Sequence, residues 1–116
     1  MWRLILVSVI ATALGGAPTL AASRAVPAAL VGKWTQGDRY AITFKSSGRV
    51  AFKLGSEVIS ETASGTPTRL TFGPAGVCTS PGTYRWKRAG QTVTFRPVTD
   101  SCEIRRSFLA GKWTKK

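Results

Sequence analysis

Histidine is absent from the 116-residue sequence and acidic side chains are scarce, with 5 Asp plus Glu against 17 Lys plus Arg, a formal charge of +12 at pH 7. Without histidine the chain lacks the usual proton shuttle at neutral pH and the commonest metal ligand, which disfavours most hydrolytic and zinc chemistries. The carboxylates Asp38, Glu57, Glu61, Asp100 and Glu103 are scattered, and no spacing marks two of them as a general acid and base. Serines have no imidazole to activate them. There is no phosphate-cradling glycine loop, no G-x-S-x-G and no grouping of metal ligands. These absences point to a binding protein rather than an enzyme, with no metal and no cofactor.

Long apolar runs are also missing. A membrane-spanning helix needs about 20 apolar residues, whereas the run from Leu4 to Leu14 is short and is interrupted by Ser8 and Thr12. Preceded by Met1-Trp2-Arg3 and followed by Gly15-Gly16-Ala17-Pro18 and Thr19-Leu20-Ala21, it has the layout of a secretory leader. Cleavage is expected after Ala21, with Ala22 as the alternative. Residues 1–21 would then be the leader, 22–30 a flexible mature start and 31–116 a single domain with no transmembrane segment. Losing Arg3 leaves 16 basic against 5 acidic residues, a charge of +11. Export, to a periplasm or outside the cell, would oxidise the only two cysteines, Cys78 and Cys102, to a disulfide. They lack the C-x-x-C spacing of a reactive pair.

What is present is period-two alternation. With 43% hydrophobic residues the chain can build a core. In Arg39 to Lys45, Tyr40, Ile42 and Phe44 share one face; in Arg49 to Leu54, Val50, Phe52 and Leu54 do so. Ser46-Ser47-Gly48 reads as the turn between them. Further strands are expected over Val31–Thr35, Glu57–Thr62, Arg69–Phe72, Thr83–Lys87, Gln91–Arg96 and Cys102–Leu109. The stretch Gly73 to Gly82, with three glycines and two prolines, reads as a loop pinned by the disulfide. About eight short strands and no helix long enough to cover a sheet favour an all-β fold, a closed antiparallel barrel ahead of a two-sheet sandwich.

Leu30-Val31-Gly32-Lys33-Trp34, a G-x-W on the first strand, resembles the opening of the lipocalin-like (calycin) barrels. The stretch Asp100-Ser101-Cys102-Glu103-Ile104-Arg105-Arg106, running on to Leu109-Ala110-Gly111-Lys112-Trp113, is similar to the closing segment of small exported bacterial members. The resemblance implies that Gly32 and Trp34 close one end, with Arg105 or Arg106 stacked across Trp34. It also raises two kinds of partner. One is a small apolar ligand held inside, among Tyr40, Phe44, Phe52, Tyr84 and Trp86, although an eight-stranded barrel can equally be filled by its own side chains. The other is an exported enzyme, because small barrels of similar architecture inhibit bacterial metalloproteases by inserting their N-terminus. Here the segment Ala22 to Ala29 would play that part.

The charge supplies an independent reading. Lys45, Arg49, Lys53, Arg69, Arg85, Lys87 and Arg96 fall on the outward phase of their strands, so the wall would be cationic and attract an anionic envelope component. Nucleic acid is disfavoured by the expected export and by the inward phase of Tyr84, Trp86 and Phe95.

Overall fold

A computed structural model describes residues 26–76 and 78–116. The leader and its cleavage point lie outside the described residues. The chain forms eight antiparallel strands: β1 (Gly32–Gln36), β2 (Tyr40–Phe44), β3 (Arg49–Leu54), β4 (Glu57–Gly65), β5 (Arg69–Phe72), β6 (Gly82–Ala89), β7 (Thr92–Thr99) and β8 (Lys112–Lys115). Each strand pairs with its neighbour in sequence, and β8 pairs back onto β1, closing the barrel. Closure leaves no sheet edge running the length of the fold.

Alternation places the core. Cross-strand pairs such as Ile42 with Phe52, Phe44 with Val50 and Leu70 with Tyr84 bring inward side chains opposite one another. Their rings meet in a continuous cluster, with centroids 4.6 Å apart for Phe52 and Phe108, 5.6 Å for Phe52 and Phe72, and 5.7 Å for Phe72 and Tyr84. Such spacings are those of ordinary aromatic contacts. Tyr40 departs from the inward reading. As the first residue of β2 it stands at the rim, 40% exposed, with its ring edge-on to Phe108 at 5.9 Å.

The expected strand over Cys102–Leu109 is instead a helix, α1 (Glu103–Leu109), and β8 supplies the eighth strand. Arg105, Phe108 and Leu109 are its buried residues, the i, i+3, i+4 set of one helical face. Glu103 in its first turn and Arg106 in its last suit the helix dipole. The helix covers one end of the barrel together with the loop residues 73–76 and 78–81, to which Cys102 is joined by a disulfide with Cys78.

The opposite end is closed by Val26 and by Leu30, the last residue of a 3-10 turn (Ala28–Leu30). Part of the expected flexible start, Val26 to Leu30, is therefore docked on the core. The two ends share a device. Leu30-Val31-Gly32-Lys33-Trp34-Thr35 and Leu109-Ala110-Gly111-Lys112-Trp113-Thr114 both read L-x-G-K-W-T. In each copy a short helical piece ends at Leu, a glycine takes positive φ (124° at Gly32, 89° at Gly111), and a fully buried Trp follows. Each indole donates back to the Leu carbonyl, Trp34 to Leu30 at 2.8 Å and Trp113 to Leu109 at 3.2 Å. Because β1 and β8 are antiparallel, the two copies close opposite ends.

Candidate functional site

Charged side chains gather in two places, one buried and one on the surface. The buried one lies under α1. Arg105, 1% exposed, donates from Nε to Asp100 Oδ2 at 2.8 Å, from Nη2 to Asp100 Oδ1 at 2.9 Å and from Nη1 to Glu61 Oε1 at 3.3 Å. Its remaining donors hold the loop carbonyls of Gly73 (3.2 Å) and Ser80 (2.9 Å). The Tyr84 hydroxyl and the Cys102 amide also donate to Asp100. Burial works to raise the Asp100 carboxyl, but the donors from Arg105, Tyr84 and Cys102 outweigh it and hold the group below its ordinary value. Burial pushes Glu61 the other way, above its ordinary value, with Arg105 opposing only in part. Desolvation, and then the hydrogen bond to Asp100, raise Tyr84 well above the usual phenol. Asp100 likewise holds the Arg105 guanidinium in its charged form. Every guanidinium donor direction used here points at protein, so the cluster reads as a clasp on the barrel end.

This arrangement corrects the expectation for Trp34. Arg105 sits in the clasp, 6.0 Å from the Phe72 ring centroid, and Arg106 donates to the Asp100 carbonyl. The cations over the Trp34 ring are Arg88 and Lys115, each 5.2 Å from its centroid. Lys115 also donates to the Val31 carbonyl, and Arg88 to that of Ala29. The function assigned to a late arginine is thus taken by residues from β6 and β8.

The expected inner ligand residues do not enclose a chamber. Phe44, Phe52 and Tyr84 are buried in the ring cluster. The apolar gap between β3, β4 and α1, beside Phe52 and Phe108, has about 10 Å³ of free space. Small-molecule pockets are roughly 300–1,000 Å³. Trp86 packs against the core but is only half-buried, because it lies beyond the start of the shorter β5, its indole donating to the Thr66 carbonyl at 3.1 Å.

There, along β5, β6 and β7 and reaching the barrel end at Ala29 and Gly90, lies an open groove of about 1160 Å³. Arg69, Arg85, Lys87, Arg88 and Arg96 line it, with Trp86 and Pro67. Four of these cations belong to the outward set read from the alternation; Arg88 is an addition. The others in that set lie elsewhere: Arg49 borders a smaller depression beside Gly48 and Thr62, while Lys45 is exposed just after β2 and Lys53 on β3. Arg69 is directly opposite Arg85, and Arg85 directly opposite Arg96. Like charges in such register repel. Among the described residues the only ion pairs are those of Arg105, so no carboxylate offsets the groove.

No three His, Cys, Asp or Glu side chains of the described residues are grouped to hold a metal. No helix of the described residues is long and apolar enough to cross a membrane. The chain matches no family model, no curated protein and no solved structure.

Proposed function

We propose that this chain is a non-catalytic binding barrel, of the exported lipocalin-like type, that engages an anionic envelope component through the groove on β5–β7. The observation that carries the reading is five cations lining one open groove with no carboxylate among its lining. A surface of this kind attracts anions before contact and orients them on arrival. The disulfide and the leader-like start support export. Between the two kinds of ligand weighed for such a barrel, the ring-filled interior favours the outer, anionic one. An enzyme-inhibiting insertion of the N-terminal segment has less support, since Val26 and Leu30 are packed against the core.

The test uses the full oxidised protein on an immobilised acidic polymer and on its neutral counterpart. Retention is expected on the acidic support alone, falling steeply with salt because surface charges are screened beyond about 10 Å at 0.1 M. Arg85→Glu with Arg96→Glu should abolish it, with the near-ultraviolet circular dichroism of the buried aromatics unchanged. Salt-independent retention, or full retention by the double variant, would reject the groove as the binding site.

A further inference from the structure

We infer that the α1-covered end of the barrel is a self-docking face, through which two copies of this chain pair about a two-fold axis.

Exposed apolar side chains gather at that end. Ile104 is 54% exposed on α1, one helical turn before the buried Phe108. With Phe108, Leu54 and Ile59 it borders the gap between α1 and the β3–β4 hairpin. Tyr40, paired in register with Leu54, extends this surface across the rim, 40% exposed and with its ring edge-on to Phe108. Single apolar residues scattered over a surface are ordinary, whereas a group of them rimmed by polar side chains marks a contact.

Charge selects the occupant. Asp38 and Arg39 stand in the turn before Tyr40, Lys53 precedes Leu54 and Glu57 is paired with it, and Glu103 and Arg106 share α1 with Ile104. These are three charges of each sign, so the flanks of the apolar group carry no net charge. Every other exposed charged side chain of the described residues is a cation. An anionic partner is drawn to the cationic groove and gains nothing by coming to the neutral end. A second copy, itself strongly basic, is repelled from the other faces and can approach closely only here. Two-fold pairing sets one patch against itself, and a rim with equal numbers of both signs lets opposite charges meet across the axis. The groove runs to the other end of the barrel, at Ala29 and Gly90, and stays open in such a pair. The pairing is therefore independent of what the groove binds.

Sedimentation equilibrium of the full oxidised chain over a range of concentrations tests this. A reversible monomer–dimer equilibrium is expected, and it should tighten as salt is raised, because screening weakens the repulsion between two like-charged copies. Ile104→Glu sets a carboxylate in the contact and should weaken the dimer at least about tenfold. Its near-ultraviolet circular dichroism should match the wild type, since the side chain is exposed in the single copy. Ser46→Glu adds the same charge in the turn after β2, at the opposite end, and should leave the equilibrium nearly unchanged. A monomer at every concentration overturns the proposal. So does association indifferent to Ile104→Glu, association weakened equally by Ser46→Glu, or growth beyond the dimer, because a two-fold contact closes on itself. Each of these results leaves the anionic groove standing.

Discussion

Replacing Arg105 by methionine keeps most of the side-chain volume and removes the guanidinium from the centre of the clasp. Five hydrogen bonds go with it, two to Asp100, one to Glu61 and one each to the carbonyls of Gly73 and Ser80. The attraction itself is not the main loss, since a buried pair gives back in contact much of what it costs to desolvate. The larger effect is that Asp100 and Glu61 stay buried with no cation, and breaking one side of a buried pair costs about 3–5 kcal/mol. A domain of this size is stabilised by roughly 5–15 kcal/mol, and each kcal/mol moves its melting temperature by roughly 4–8 °C. The melting temperature should therefore fall by at least about 12 °C at pH 7. The penalty should also depend on pH. With Arg105 gone, a charge that lowers both carboxyls is lost while their burial remains, so the folded-state values of both rise from those in the wild type. Carboxyls that hold their protons to higher pH in the folded variant than in the folded wild type cost the variant stability as pH rises, so the gap between the two should widen from pH 4 upward. Thermal melts followed by circular dichroism at several pH values measure both. A drop of less than about 4 °C at pH 7, or a gap that narrows with rising pH, would refute the reasoning.

The wild type has the opposite dependence at its acid limb. Asp100 is held below 3.8, so its contribution is intact above that pH and disappears as pH falls through the depressed folded value; Asp100→Asn should flatten this limb in urea titrations. Removing the disulfide by Cys78→Ser with Cys102→Ser releases a link across 24 positions, and loop entropy sets the loss at roughly 3–4 kcal/mol, read as a lower urea midpoint. Gly32→Ala places a side chain at φ 124°, with its Cβ 2.8 Å from Lys115 Cε and Nζ, and should cost roughly 1–3 kcal/mol in the same assay.

The strands that could be read in the sequence were those with one buried face. In β2, β3 and the first half of β7 large apolar residues alternate with cations, threonines or alanines, because one side of each strand faces the core. The helix α1 was hidden for a physical reason. It is seven residues long, under two turns, and it inverts the usual pattern by burying Arg105 while leaving Ile104 54% exposed. A short helix with a charged inner face is indistinguishable by period from an edge strand. The signal that could have identified it was the second L-x-G-K-W-T. The same hexapeptide at Leu30 follows a helical turn, so its recurrence at Leu109 marks another helical piece ending there, with the strand beginning after Gly111. The clasp had no local signature at all, since Glu61 is 44 positions from Arg105 and only barrel closure joins them. Arg88 was missed because alternation puts it in the inward phase, and there, near the end of β6, it lies over the buried Trp34 ring at the barrel end.

The distribution of acid explains how the fold and the cationic groove belong together. Asp38 lies in the turn after β1, Glu57 at the start of β4 and Glu103 at the start of α1, all at the α1-covered end; Asp100 and Glu61 are spent on Arg105. The few carboxylates are therefore near the helix or beneath it, and none of the described ones reaches the β5–β7 wall. Three arginines in direct register repel one another and lower the stability of the sheet. Packing cannot be the reason for this row, because its side chains are exposed on the outer face. Solubility would be served as well by cations staggered between strands or interleaved with acids. An anion bridging the row removes the repulsion and adds charge-assisted hydrogen bonds, so the same contacts that weaken the free barrel strengthen the complex. Ligand binding should thus raise the melting temperature by more in the wild type than in Arg85→Thr, even though that variant, relieved of the repulsion, is the more stable protein when free.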